Sequence, residues 1–239
     1  MTDRAAIVTG ASSGIGLAVA RMLAQDGYGV TLVARRPEKL EAAYEELRAG
    51  GLEVQRVAAD VGKEDDVVRA VAAHREAYGR LDVLMNNAGV GIGAPIGELS
   101  TKRMDIQLAT NLRSIPLFYR ECLDMLAAAG AEHRRALVVN TASIAGKSGQ
   151  AWLSIYSATK FGVVGFTQAM NKELSSRGIR STALCPGFVD TAMTDFVKEH
   201  VPVEEMIQTA DIVAAVRMLL ELGPGCLVPE IVFERPGAG

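Results

Sequence analysis

The chain has 239 residues, 49% of them hydrophobic and 22% charged, with 24 Gly, 8 Pro and 3 Cys. This ordinary globular composition excludes disordered, collagen-like and disulfide-scaffold proteins. A net charge of −3 provides no basic field to hold nucleic acid or an anionic membrane surface, so neither partner is expected.

In chain order, short β-branched runs alternate with longer helical patterns. Ala5–Thr9 predicts a strand and Gly14–Gln25 a helix. A second strand, Gly29–Ala34, precedes a helix over Pro37–Ala49 with proline in its first turn. Leu52–Ala58 predicts strand, and Glu64–Tyr78 helix, with Val67, Val71 and His74 or Arg75 at helical spacing. Further strands at Leu81–Met85, Arg135–Asn140 and Ile179–Leu184 are separated by helical segments near Thr101–Ala129 and Tyr156–Ser176. A last helix, Ala210–Glu221, leads through Gly223-Pro224-Gly225 to a strand at Val228–Phe233.

Strand and helix alternating in this way imply parallel strands joined by right-handed crossovers, with helices on both faces of the sheet. The strands are almost continuously apolar, as burial of both faces requires. No linker or repeat divides the chain, so one doubly wound α/β domain over residues 1–239 is expected. Cys122, Cys185 and Cys226 are far apart and lack CxxC spacing. They read as small buried side chains in a reducing, cytoplasmic compartment. His74, His133 and His200 read as surface or loop residues, and no metal site is expected. The N-terminus carries neither the long apolar core nor the cleavage site of a secretory signal.

In a doubly wound sheet, ligands sit outside the carboxyl ends of the strands. Gly10, Arg35, Asp60, Asn86, Ser143 and Pro186-Gly187 all fall at such ends. The run Thr9-Gly10-Ala11-Ser12-Ser13-Gly14-Ile15-Gly16 lies between the first strand and the first helix. Glycines there let backbone approach a pyrophosphate, and a helix N-terminus offers free N–H groups. Its spacing is TGxxxGIG rather than GxGxxG. About twenty residues further on, an NAD site would place an acid against the ribose 2′-hydroxyl. Arg35 and Arg36 stand there instead, and guanidinium groups suit a 2′-phosphate. NADP(H) is therefore the expected cofactor, with NAD(H) also possible. Tyr156 and Lys160 are four residues apart on one helix face, with Ser143 just after the preceding strand. A lysine ammonium beside the phenol is expected to lower its pKa and make Tyr156 a proton donor and acceptor, while Ser143 holds the substrate oxygen.

Together these residues resemble the short-chain dehydrogenase/reductase family in its compact form. The matching elements are Thr9–Gly16, Asp60, Asn86-Asn87-Ala88-Gly89, Asn111, Ser143, Tyr156 with Lys160, and Pro186-Gly187 with Thr191. The resemblance covers nearly the whole chain. It implies a Rossmann-type fold with a mainly parallel seven-stranded sheet, and hydride transfer between NADP(H) and a carbonyl or alcohol. By motif position, Gly10, Ser12, Ser13, Gly14, Ile15 and Gly16 would hold the pyrophosphate, and Arg35 and Arg36 the 2′-phosphate. Asp60 and Val61 would meet the adenine, and Asn87, Ala88 and Gly89 would line the adenosine side. Asn111 would hold a water linked to Lys160, and Lys160 would also bind the nicotinamide ribose. Pro186, Gly187, Val189 and Thr191 would hold the nicotinamide end, with Tyr156 as general acid/base.

The segment 187–202 is expected to close over substrate. With Val90, Ile92, Trp152 and Leu153 it would wall an apolar pocket for a ketone, aldehyde or acyl-type carbonyl. A 3-oxoacyl carrier-protein reductase is the alternative activity, with Arg113 and Arg120 as candidate carrier contacts. A non-catalytic NADP(H) sensor or scaffold is the alternative of a different class. The small and apolar residues on several faces of the two long helical segments suggest a homodimer or homotetramer.

Overall fold

In the computed structural model, which describes residues 3–237, the strands are β1 (Ala5–Thr9), β2 (Gly29–Ala34), β3 (Val54–Ala58), β4 (Val83–Asn86), β5 (Ala136–Thr141), β6 (Ile179–Pro186) and β7 (Glu230–Phe233). The helices are α1 (Gly14–Gln25), α2 (Pro37–Ala49), α3 (Glu64–Tyr78), α4 (Thr101–Gln107), α5 (Ser114–His133), α6 (Ser154–Leu174) and α7 (Thr209–Glu221). The strands make one 7-stranded sheet in the order β3-β2-β1-β4-β5-β6-β7. Every neighbouring pair is parallel. Strand order reverses between β1 and β4, which opens a crevice at their carboxyl ends.

Side-chain alternation along each strand divides the core into two layers. Ile7 of β1 packs into the layer containing Val67 and Val71 of α3, Phe118 and Leu126 of α5, and Val163 of α6. Its neighbours Ala6 and Val8 face the other layer, with Leu23 of α1, Leu40 of α2 and Val216 of α7. Each buried Leu or Phe contributes about 1.5–3 kcal/mol relative to exposure, so both helical layers are held firmly to the sheet.

Several boundaries differ from the sequence expectation, each for a local reason. The segment near Thr101–Ala129 is not one helix. A π-helical turn, Leu108–Arg113, separates α4 from α5. Pro116, which has no N–H to return to the carbonyl of Leu112, makes a regular α-helical ladder impossible there. At β3, the expected first residue Leu52 instead donates its N–H to Leu47 as α2 ends. Strand β7 begins after Pro229, which cannot donate to a ladder. Cys122 and Cys185 are buried, but Cys226 is exposed. Among the described residues, no helix is long and apolar enough to cross a membrane, and no His/Cys/Asp/Glu group could hold a metal.

His74 corrects the expectation of a surface histidine, since it is fully buried on α3. Its Nδ1 lies 2.7 Å from Thr31 Oγ1 and its Nε2 2.8 Å from the Arg80 carbonyl oxygen. The neutral ring protonated at Nε2 satisfies both, donating to Arg80 and accepting from Thr31. Burial pushes its pKa down to about 4 from 6.5. Between those values the unfolded chain holds a proton that the folded chain refuses, so stability falls as pH drops from 6.5 towards 4. The expected contribution is about 3 kcal/mol over that window. Denaturant titrations of wild type and His74→Gln at pH 7 and pH 4.5 should show the variant losing markedly less stability on acidification.

Candidate active site

The parallel sheet sends every strand-to-helix connection out of one edge, and the singled-out residues meet there. After β1, the loop Gly10–Ser13 turns into α1, which starts at Gly14 with no side-chain cap on its N–H groups and no acid in its first turn. That terminus is therefore electropositive and open to an anion. Gly16 is required by contact: a Cβ there would strike the Gly10 carbonyl oxygen and lie 2.7 Å from Asn87 Nδ2. The glycine thus lets α1 press against the ends of both β1 and β4. Thr9, which opens the glycine motif but was given no contact of its own in it, knots the same place. Its hydroxyl donates to the Met85 carbonyl and receives the N–H groups of Asn87 (2.9 Å) and Ala88 (3.0 Å).

A cavity of about 230 Å³ lies beside this crevice, lined by Arg35, Asp60, Gly62, Lys63, Asp105, Ile106, Ala109 and Thr110. It brings Arg35 and Asp60 together. Arg36 is exposed beyond it as the N-cap of α2. Lys63, Asp105 and Thr110 were not anticipated. Thr110 could have been, because it immediately precedes Asn111. Val61 and Val189 bury their side chains in the two core layers, so they can offer a ligand only backbone. Thr191, four residues beyond Gly187, reaches α1, with its Cγ2 3.0 Å from where a Gly14 Cβ would lie.

Ser143 follows β5, and its hydroxyl accepts the Ala145 N–H at 3.1 Å. It neighbours the Tyr156 phenol in the first turn of α6. Close approach of the two segments requires Gly146, where a Cβ would lie 2.7 Å from the Lys160 carbonyl oxygen. Lys160 is buried, donates to the Thr141 carbonyl at 2.7 Å and lies 5.5 Å from the Tyr156 ring centroid. Burial lowers its pKa to about 8. The expectation of an acidified phenol is not met. Burial raises the Tyr156 pKa, opposed by the Ser143 hydroxyl. The ammonium bonds to Thr141 rather than to the phenol, so desolvation wins.

Asn111 sits in the π-helical turn and is buried. Its Oδ1 accepts the Val90 N–H at 2.8 Å, and its Nδ2 donates to the Val90 carbonyl at 2.9 Å. The Asn111 side-chain amide is thus committed to Val90, with a further Nδ2 contact to Thr159 Oγ1 at 3.3 Å. Both Asn111 Oδ1 and Lys160 Nζ face Gly89, at 3.5 and 3.7 Å from its Cβ position. The segment after β6 is tied back by the Val189–Ile207 bridge. It carries a small core of Val197, Val201 and Met206, and Lys198 pairs with Asp190 and Asp195 at 2.8 Å each. Arg113 and Arg120 are occupied, by the Gly62 carbonyl and by Glu64 and Glu121 respectively.

A buried ammonium opposes folding. Between pH 8 and 10.5 the unfolded chain keeps the Lys160 proton that the folded chain loses, so this group adds stability as pH rises through that window. Lys160→Met is accordingly expected to raise the thermal midpoint by a few degrees at pH 7, as calorimetry would measure, with the difference shrinking towards pH 10.

The short chain dehydrogenase family model matches residues 4–202. A putative ketoacyl reductase of the monensin polyketide synthase from Streptomyces virginiae is 43% identical over 199 residues, 83% of this chain and 75% of that protein. A 3-oxoacyl-[acyl-carrier-protein] reductase from Staphylococcus epidermidis is 33% identical, over 91% of each chain. Among solved structures, an actinorhodin polyketide ketoreductase variant with NADPH superposes with a TM-score of 0.87 at 34% identity, covering 96% of this chain and 95% of that one. The match to the family model spans most of the sequence and includes the glycine loop, Ser143, Tyr156 and Lys160, and on that ground the chain belongs to the short-chain dehydrogenase family.

Proposed function

We propose that this chain reduces the ketone of an acyl-type substrate with NADPH, using Tyr156 as the proton donor. One observation carries the reading: the Ser143 hydroxyl, the Tyr156 phenol and a buried Lys160 converge at the carboxyl edge, beside the glycine loop. A sensor or scaffold would have no need to hold a desolvated lysine there.

The residues fit the cofactor. The uncapped α1 terminus suits a pyrophosphate. The cavity offers Asp60 to an adenine and Arg35 to a 2′-phosphate. NADP(H) is preferred to NAD(H) on that basis, and the NADPH of the actinorhodin ketoreductase supports it. Thr191, which reaches the start of α1, and Gly187 would hold the nicotinamide end. Bound there, a reduced nicotinamide supplies hydride for the carbonyl carbon.

The protein's own part is geometry and proton supply. Ser143 and Tyr156 can both donate to one carbonyl oxygen, which fixes its position and stabilises the negative charge that develops on it. Burial keeps the phenol protonated at neutral pH, which is the state needed to deliver a proton to that oxygen. The Lys160 ammonium then faces the phenolate left behind and steadies it. The ketoacyl and 3-oxoacyl reductase relatives favour an acyl-type ketone. A carrier-protein docking role for Arg113 and Arg120 gains no support from their internal pairing. We further propose a cytoplasmic homodimer or homotetramer. The free cysteines favour a reducing compartment, and the exposed Phe161 and Leu108 favour burial by a second copy.

Tyr156→Phe is expected to reduce NADPH consumption on 3-oxoacyl thioesters by at least about a thousandfold while leaving the NADPH dissociation constant within a few fold. Turnover within tenfold of wild type would defeat the assignment. Arg35→Ala should raise the KM for NADPH at least tenfold, because it removes a charge-assisted hydrogen bond. The KM for NADH should barely change, and paired cofactor titrations measure both.

A further inference from the structure

Among the described residues, two that are not glycine have positive φ, Arg134 at 57° and Trp152 at 68°. Arg134 is the left-handed cap of α5, an ordinary way to end a helix. Trp152 ends no helix. A bulky side chain in the left-handed region is a genuine outlier, and such strain persists only where the surroundings impose it. The imposing contact is visible: the Trp152 carbonyl accepts the Ala94 N–H at 2.8 Å. That bond ties the turn before α6 to the β4–α4 connection. Core packing does not explain the residue, since the side chain is 73% exposed. A glycine would meet the same backbone requirement without strain.

The position of the ring gives it a use. Trp152 is four residues before Tyr156, just outside the first turn of α6. Connections after β4, β5 and β6 leave neighbouring strands at the same edge. Each presents exposed apolar side chains: Ile96 (72%) after β4, Trp152 after β5, and Phe188, Met193 and Phe196 (72%) after β6. These connections leave the same edge of the sheet as the one that carries Tyr156, and exposed apolar groups of this kind mark a binding surface. An indole within it adds a flat π-face, which favours offset stacking on another planar system.

We propose that Trp152 is a specificity-determining residue that stacks on the non-reacting part of the substrate, favouring ketones, acyl-type ones included, whose non-reacting part carries a planar, aromatic or conjugated group. This deepens the reductase reading and rests on it, and its test is separable from that reading. The probes are 2-acetonaphthone and 2-nonanone, a flat and a flexible methyl ketone.

The ratio of kcat/KM for 2-acetonaphthone over 2-nonanone is expected to fall about tenfold in Trp152→Gly. It should stay within about twofold of wild type in Trp152→Phe, which keeps a ring. The thermal midpoint of Trp152→Gly should stay close to that of wild type, since relief of the left-handed strain offsets the entropy a glycine adds to the unfolded chain and little packing is lost. Trp152 is also the 1 tryptophan of the chain, so its emission lifetime reads stacking without turnover. Titrating 2-acetonaphthone into wild-type enzyme saturated with NADP⁺ should shorten that lifetime saturably, and 2-nonanone should not. An unchanged kcat/KM ratio in Trp152→Gly, or a lifetime indifferent to 2-acetonaphthone, would overturn the proposal. So would a change of oligomeric mass in Trp152→Gly, which would make the ring a subunit contact. If wild type consumed NADPH with neither ketone, the reductase reading would be in difficulty, and the lifetime titration would still decide the role of Trp152.

Discussion

All six strand pairings run parallel, and from this direction follows the location of everything functional. Parallel strands cannot be joined by tight turns, so each must cross back through a helix, and each crossover begins at the same edge. Residues as distant in sequence as Gly16, Asn87, Ser143 and Thr191 are brought into one crevice by that rule. The reversal of strand order between β1 and β4 decides where along the edge the crevice opens. The Thr9 hydroxyl, bridging the two strand ends, holds it in shape.

The site is built against stability. Lys160 gives up most of its hydration for one carbonyl contact with Thr141, and the Tyr156 phenol is kept from ionising by the same burial. The buried ammonium is unfavourable for folding and useful for proton delivery, because a desolvated charge acts strongly on whatever charge develops beside it, whereas the neutral phenol carries no such cost near pH 7. His74 illustrates the structural counterpart. It is buried in the same way, but both ring nitrogens have partners, and it lies in the α3 layer away from the cleft. Burial depresses both cations, and the difference in role comes from what each group faces.

The segment around Asn111 ties helix geometry to the cleft. Pro116 denies the helix a regular ladder, the chain takes a π-helical turn, and that turn carries Asn111 inward to clamp both backbone groups of Val90. The loop so fastened runs on towards Ala94, which in turn holds Trp152. One irregular turn therefore shapes the cleft wall between β4 and α4.

The order of elements, the doubly wound sheet and the residues at its carboxyl edge were all legible in the chain. They depend on local periodicity, turn residues and chirality, which sequence carries directly. The Tyr156–Lys160 spacing belongs to this class, since it depends on one helical turn, and the glycine loop is marked by its own residues between the first strand and the first helix. Tertiary structure decided the rest. Whether Lys160 would acidify Tyr156 turned on desolvation and on the competing Thr141 carbonyl, neither of which spacing reveals. His74 and Arg75 were indistinguishable on a helical wheel until packing buried one of them. The strain at Trp152 arises from a hydrogen bond to Ala94, 58 positions away, and burial, ionisation and imposed backbone conformation are properties of such distant neighbours.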